Sequence, residues 1–323
     1  MSTRILCLSR CVTEPTDAAS KGWPDPYGGT AMSGVTVDLD DILEKTDGDK
    51  QFVDLVEISA DELEKAGYDG EGKVETIIGI DISLSMQDEF DDGSVDKALQ
   101  LGLAYASVLD PDHRAGVFFF GEGVYRAPHV DLLNYKNWLR RNKRHLESYT
   151  HLGAGMELAV RMAAEEAKCP RMADVLNYRV ATPALSSAPA PRQSRWRMGR
   201  WSTPAAAAPQ QPGLEPIPGK PVKTLIFTDG LPHDKPKAER TQFVSSWTTK
   251  FWSYVYVSNQ PGGADYLRTL DNQPGRYADN SNMASFPSFQ DLQPDAFAAA
   301  AAKDFGPWTQ FVRNPQNGLY LAA

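Results

Sequence analysis

The chain has 323 residues, 41% hydrophobic and 23% charged, enough to bury one large core or two small ones. A net charge of -9 argues against a general nucleic-acid binder, whose affinity comes from neutralising phosphates with a basic surface. Three cysteines (Cys7, Cys11, Cys169) are too few for a disulfide scaffold, fit a reducing compartment and lack the second pair a zinc finger needs.

Residues 1–35 carry Pro15, Pro24 and Pro26 without apolar periodicity and read as an irregular N-terminal tail. The first residues lack the apolar core of a secretory signal, and nowhere do ~18 apolar residues run together. The expectation is a soluble, cytoplasmic protein with no membrane partner. Residues 36–70 form an acidic lead-in. Phe52, Val53, Val56, Leu63 and Ala66 at helical spacing predict a helix there, ending at Gly67.

From Val74 onward β-branched runs alternate with helical patterns. Strands are predicted at 74–81, 115–121, 222–230 and 251–258. Helices are predicted at 95–109, 130–141, 153–168, 237–250, 264–271 and 295–305, with an edge segment at 276–283. Such alternation implies an α/β fold, a doubly wound, mostly parallel sheet flanked by helices. This domain is expected over 71–310, followed by a C-terminal tail at 311–323.

The segment 168–222 interrupts it. Ten of the 23 prolines fall there, with an alanine run at Ala205–Ala208, and the composition predicts a disordered Pro/Ala/Arg-rich insertion. Within it, Arg195, Trp196, Arg197, Arg200 and Trp201 form a basic, aromatic cluster suited to contacting an acidic partner.

Ligands of doubly wound sheets sit outside the carboxyl ends of the strands. There the first strand ends in Asp81-Ile82-Ser83-Leu84-Ser85, a D-x-S-x-S pattern. The strand at 222–228 ends in Thr228-Asp229-Gly230, and Thr150 opens the helix at 153. Two carboxylates (Asp81, Asp229) and three hydroxyls (Ser83, Ser85, Thr150), without Cys or His, make a hard-oxygen set. Such a set suits Mg²⁺, with Mn²⁺ or Ca²⁺ as alternatives.

Enzyme readings of the same residues fail on pattern. A haloacid-dehalogenase-type phosphatase needs a second Asp at position 83, which is Ser83. Neither G-x-S-x-G nor G-x-x-x-x-G-K-[ST] occurs. His151 and His233 flank the metal loops and read as solvated rim residues.

In this order, D-x-S-x-S, a loop Thr and T-D-G resemble the metal-ion-dependent adhesion site of von Willebrand factor type A domains. The resemblance implies that Ser83, Ser85 and Thr150 ligate the metal, that Asp81 and Asp229 bind it directly or through water, and that a partner protein's Asp or Glu takes the open position. The family usually has Gly where this chain has Leu84. The stretches 55–86, 116–139 and 295–308 further resemble the A domain at the C-terminus of tellurium-resistance, TerF-type bacterial stress proteins. That implies the A-domain fold and a link to the bacterial tellurite and stress response, with no known reaction; together with the failed enzyme patterns, the expectation is a protein-interaction module that is not an enzyme. Its partners would be other stress-operon proteins. Two alternatives stand beside it: a regulatory or assembly subunit of an AAA+ ATPase, and a scaffold with a degenerate metal site.

Overall fold

The computed structural model describes residues 5–7, 34–142, 144–178, 214–260 and 262–319. In chain order the strands are β1 (Ile5–Cys7), β2 (Thr36–Asp38), β3 (Glu75–Asp81), β4 (Arg114–Phe120), β5 (Val124–Asp131), β6 (Val222–Thr228), β7 (Lys250–Val257) and β8 (Ser281–Phe286). The helices are α1 (Leu39–Lys45), α2 (Lys50–Lys65), α3 (Gln87–Asp91), α4 (Ser94–Leu109), α5 (Trp138–Asn142), α6 (Leu152–Glu166), α7 (Arg171–Asp174), α8 (Lys235–Ser245), α9 (Gly263–Asp271), α10 (Pro294–Ala302) and α11 (Phe305–Arg313).

The main sheet has the order β5-β4-β3-β6-β7-β8. All its pairs are parallel except β4–β5, so the predicted doubly wound, mostly parallel sheet is present with one antiparallel edge. Its central strands are buried along their whole length, which is why they read as unbroken apolar runs. Side chains alternate between two cores. Ile78, Ile80, Val117, Phe119, Leu225 and Phe227 face one core, shared with residues of α2, α4 and α10. Ile77, Phe118, Phe120 and Ile226 face the other, shared with α6, α8 and α9. The chain steps from β3 to β4 on one side and returns to β6 on the other. The carboxyl ends of β3 and β6 therefore flank a topological switch point, where such sheets open a crevice.

Several expectations change. Residues 130–141 are not one helix. Val130 and Asp131 finish β5, paired with Ala115 and Arg114. The Asp131 carboxylate then accepts from the amides of Leu133 (2.9 Å) and Asn134 (3.0 Å), forming a turn that competes with helix. Asn137 has φ +59°, so α5 starts only at Trp138.

The tail expected at 1–35 contains β1, which pairs antiparallel with β2. Helix α2 of the lead-in packs on α4 and α10 and belongs to the main core. The core also runs past 310, through buried Val312 and Leu319. The ends of the expected insertion are ordered. Helix α7 follows α6, and Leu214 and Ile217 are buried before β6. The cluster Arg195, Trp196, Arg197, Arg200 and Trp201 lies outside the described residues.

Candidate metal centre

All five residues predicted as metal ligands meet at the switch point. Asp81 ends β3 and is fully buried. Its Oδ1 accepts from the Ser83 amide (2.8 Å), which bends the chain sharply after the strand. Its Oδ2 accepts from the Thr228 hydroxyl (2.6 Å). Asp229 Oδ1 accepts from Ser85 Oγ (2.9 Å) and Ser83 Oγ (3.4 Å), and the two serine hydroxyls lie 3.0 Å apart. The loops after β3 and β6 thus share one network of oxygens.

Thr150 reaches this network from the loop before α6. Gly230 makes room for it. A Cβ at position 230 would lie 2.7 Å from Thr150 Oγ1 and 3.5 Å from Asp81 Oδ2. The space beside those two oxygens stays open because residue 230 has no side chain.

The loops are held by groups the sequence did not single out. Glu147 extends the sheet by one bridge: its amide donates to the Ile82 carbonyl (2.8 Å) and its carbonyl accepts from the Leu84 amide (2.8 Å). Its carboxylate accepts from the Gly123 amide (2.7 Å) and the Tyr125 hydroxyl (2.5 Å), which ties down the β4–β5 turn. Asp234 lies at the start of α8 but caps α6, accepting from the amides of Gly153 (2.9 Å) and Ala154 (2.8 Å). A carboxylate suits those free N–H groups and the positive helix end.

His233 is more than a solvated rim residue. Its amide donates to the Thr150 carbonyl (2.9 Å), and its Nδ1 accepts from the Thr150 amide (3.3 Å). That bond places the proton of a neutral His233 ring on Nε2. His151 Nδ1 lies 2.8 Å from the Glu122 carbonyl and donates to it, since a carbonyl can only accept. The spacing T-D-G-x-x-H-D is the only linear trace of His233 and Asp234, and their roles arise from tertiary proximity.

Leu84 fits the loop. It is not among the residues with positive φ, and its side chain turns to solvent with 54% exposure. The family's usual Gly is therefore not needed for the turn.

Burial raises the Asp81 pKa to about 7; the Thr228 hydrogen bond opposes the shift, and the charge of Asp229 adds to it. Burial also raises Asp229, against the hydroxyls of Ser85 and Ser83. Among the described residues neither carboxylate has a Lys or Arg ion-pair partner. Among them, too, there is no group of three His, Cys, Asp or Glu able to hold a metal. Any cation here would be held by hydroxyls as much as by carboxylates. Two desolvated acids, three hydroxyls and the cradle at Gly230 fit a hard divalent ion.

Residues 73–177 match the family model vWA-TerF-like, described as the vWA found in the TerF C terminus. No curated protein is significantly similar in sequence. Among solved structures, proximal thread matrix protein 1 from the mussel byssus (crystal form 2) is 10% identical, over 71% of this chain and 47% of that one, with a TM-score of 0.44. The same protein with a zinc-occupied MIDAS motif is 12% identical, over 71% and 48%, with a TM-score of 0.42. The ArnB paralog VWA2 from Sulfolobus acidocaldarius is 10% identical, over 70% and 44%, with a TM-score of 0.35. The chain spans about half the length of these structures.

Proposed function

We propose that this chain, which carries a von Willebrand factor type A domain like that of the TerF C-terminus, is a divalent-cation-dependent protein-interaction module. The observation that carries this reading is the hydrogen-bonded set Asp81, Ser83, Ser85 and Asp229 with Thr150 beside it across Gly230, with buried acids and an exposed Ser85 at its mouth. A bound Mg²⁺ would offer an oxygen-seeking centre that favours a partner's carboxylate. The chain's own part is to hold and orient. Asp81 is fixed by Thr228 and the Ser83 amide, Thr150 by His233, and the start of α6 by Asp234.

We read the site as binding rather than catalytic. Each rim imidazole commits Nδ1 to the backbone, which leaves neither free to act as a base through that nitrogen. No described helix is long and apolar enough to cross a membrane, and we place the module in a bacterial or phage cytoplasm. A role in the tellurite and stress response is proposed on the TerF-like match, with stress-operon proteins as the partners sought.

The test is calorimetric titration of Mg²⁺, Mn²⁺ and Ca²⁺ into wild type and Asp81→Ala, followed by capture of bacterial lysate proteins in Mg²⁺ or EDTA. Saturable binding lost in Asp81→Ala, with a partner held only by wild type in Mg²⁺, supports the reading. The same partners in every condition would overturn it. If the captured partner proves to be an AAA+ ATPase, the module is a regulatory subunit.

A further inference from the structure

Among the described residues four large hydrophobic side chains are exposed: Leu84 (54%), Leu133 (81%), Tyr149 (46%) and Leu231 (43%). Two of the four, Leu84 and Leu231, line the candidate centre, and a third, Tyr149, packs on its lining residue His233. Leu84 lies between the two ligand serines, Tyr149 precedes the ligand Thr150, and Leu231 follows the cradle glycine Gly230. Leu84 and Leu231 line a cavity of about 380 Å³ together with Ser83, Ser85 and Thr150. Apolar surface gathered around a polar centre marks a binding site rather than chance exposure.

The apolar wall is also prepared in advance. The Tyr149 ring stacks on His151 (centroids 6.1 Å, planes 5° apart) and meets His233 edge-on (5.0 Å, 80°). Both imidazoles are tied to backbone through Nδ1, so the half-exposed tyrosine rests on fixed supports. A rigid apolar contact loses little freedom when a partner arrives. Positive character lies beside it. Lys235 and His233 line the same cavity, and the proton on His233 Nε2 makes that nitrogen a donor. Charge complementarity thus favours an anion at the centre and apolar groups at the rim.

We infer that the rim chooses among carboxylates by their neighbours: the occupant is a segment of a partner protein in which an Asp or Glu side chain is flanked by residues of leucine or phenylalanine size. This rests on the reading of the centre as a cation-dependent carboxylate site. Leu84, Tyr149 and Leu231 set specificity, while the five oxygen-bearing residues supply the anchor. An acidic segment flanked by serines would reach the same centre but leave the apolar rim facing water.

The test uses the full chain and three amidated, fluorescein-labelled peptides followed by anisotropy in Mg²⁺ and in EDTA. The first has a central aspartate flanked by leucines, the second flanks the aspartate with serines, and the third replaces the aspartate of the first by asparagine. The expected result is Mg²⁺-dependent binding of the first, at least about tenfold tighter than the second, and none of the third. The double variant Leu84→Ser, Leu231→Ser should lose that preference and keep its binding of the serine-flanked peptide. Both side chains are exposed, so retained Mg²⁺ binding by the variant confirms that it is folded. Equal, Mg²⁺-dependent binding of both aspartate peptides overturns the rim's role and leaves the metal reading standing. Binding of the asparagine peptide as tightly as the aspartate one, or indifference to EDTA, overturns both.

Discussion

The two edges of the main sheet treat buried acids in opposite ways. At the amino edge, Glu75 and Asp110 are buried around one cation. Lys73 Nζ lies 3.0 Å from Asp110 and 3.4 Å from Glu75, and it also pairs with exposed Asp112. Burial works against the Lys73 charge, but the hydrogen bonds of Asp112 and Asp110 more than offset it, so its pKa lies above the ordinary lysine value. Further along this edge, beside the start of β8, Asp271 has Arg276 as a neighbouring cation and the Ser281 hydroxyl as a donor (2.9 Å). At the carboxyl edge, the partners of Asp81 and Asp229 among the described residues are hydroxyls and amides. An ion-pair cluster completed by the chain's own lysine is structural. A pair of desolvated acids with no cation among the described residues is where an external cation has most to contribute.

The sharpest break of this contrast is Lys73→Met. It leaves Glu75 and Asp110 buried together; Lys73 itself is a quarter exposed, so the loss should lie near the lower end of the about 3–5 kcal/mol typical of breaking a buried pair. Urea unfolding should show that loss, while Mg²⁺ affinity at the far edge stays at the wild-type value. A loss of Mg²⁺ binding in the folded variant would show that the two edges are coupled.

Asp271 gives the next largest effect. Burial, partly opposed by Ser281 and Arg276, raises its pKa from 3.8 to about 6. The folded state therefore holds this proton more tightly than the unfolded chain. The stabilisation is complete below pH ~4 and is lost as pH rises through ~6, for about 3 kcal/mol at most. Asp271→Asn should flatten that part of the stability profile between pH 4 and 7. An unchanged difference between the two proteins across that range would remove Asp271 from the account.

How much of this was legible in the sequence follows from periodicity and locality. Strands β3, β4, β6 and β7 are central and buried on both faces, so their apolar runs were readable with ends within about two residues. Strand β5 was not. It is one of the two edge strands, only partly buried, carries Pro128 and has no apolar run. Its readable signal was the turn Gly121-Glu122-Gly123 directly after a strand. The break between α10 and α11 was hidden for another reason. It depends on Asp304 at φ +60°, a conformation uncommon for a non-glycine residue. That Asp81, Ser83, Ser85, Thr150 and Asp229 would lie together at one end of the sheet was legible, because each follows a strand or opens a helix at that end and carries an oxygen side chain. Glu147, Asp234 and His233 were not, because they act by bonding across loops that are neighbours only in the folded chain.

At the carboxyl edge, Gly230→Ala tests the cradle. The new methyl would sit 2.7 Å from Thr150 Oγ1, so Thr150 must move or rotate. Gly230 is not among the residues with positive φ, so the backbone accepts alanine without strain. The fold should therefore hold while Mg²⁺ affinity falls at least tenfold, about 1.4 kcal/mol. Unchanged affinity in calorimetry would mean that Thr150 lies outside the cation's shell.

The smallest effect belongs to Leu84→Ala, and its smallness is informative. The Leu84 amide donates to the Glu147 carbonyl, a bond that alanine keeps. Its φ is not positive and its side chain is exposed, so neither turn nor core depends on leucine. Stability should stay within about 0.5 kcal/mol, as for other surface substitutions, and Mg²⁺ affinity within about twofold. What should change is the preference for apolar-flanked carboxylates, because the variant removes one wall of the rim and none of the anchor. If Leu84→Ala instead weakened Mg²⁺ binding strongly, leucine would be shaping the ligand loop itself. The distinction between oxygen anchor and apolar rim would then have to be withdrawn at this position.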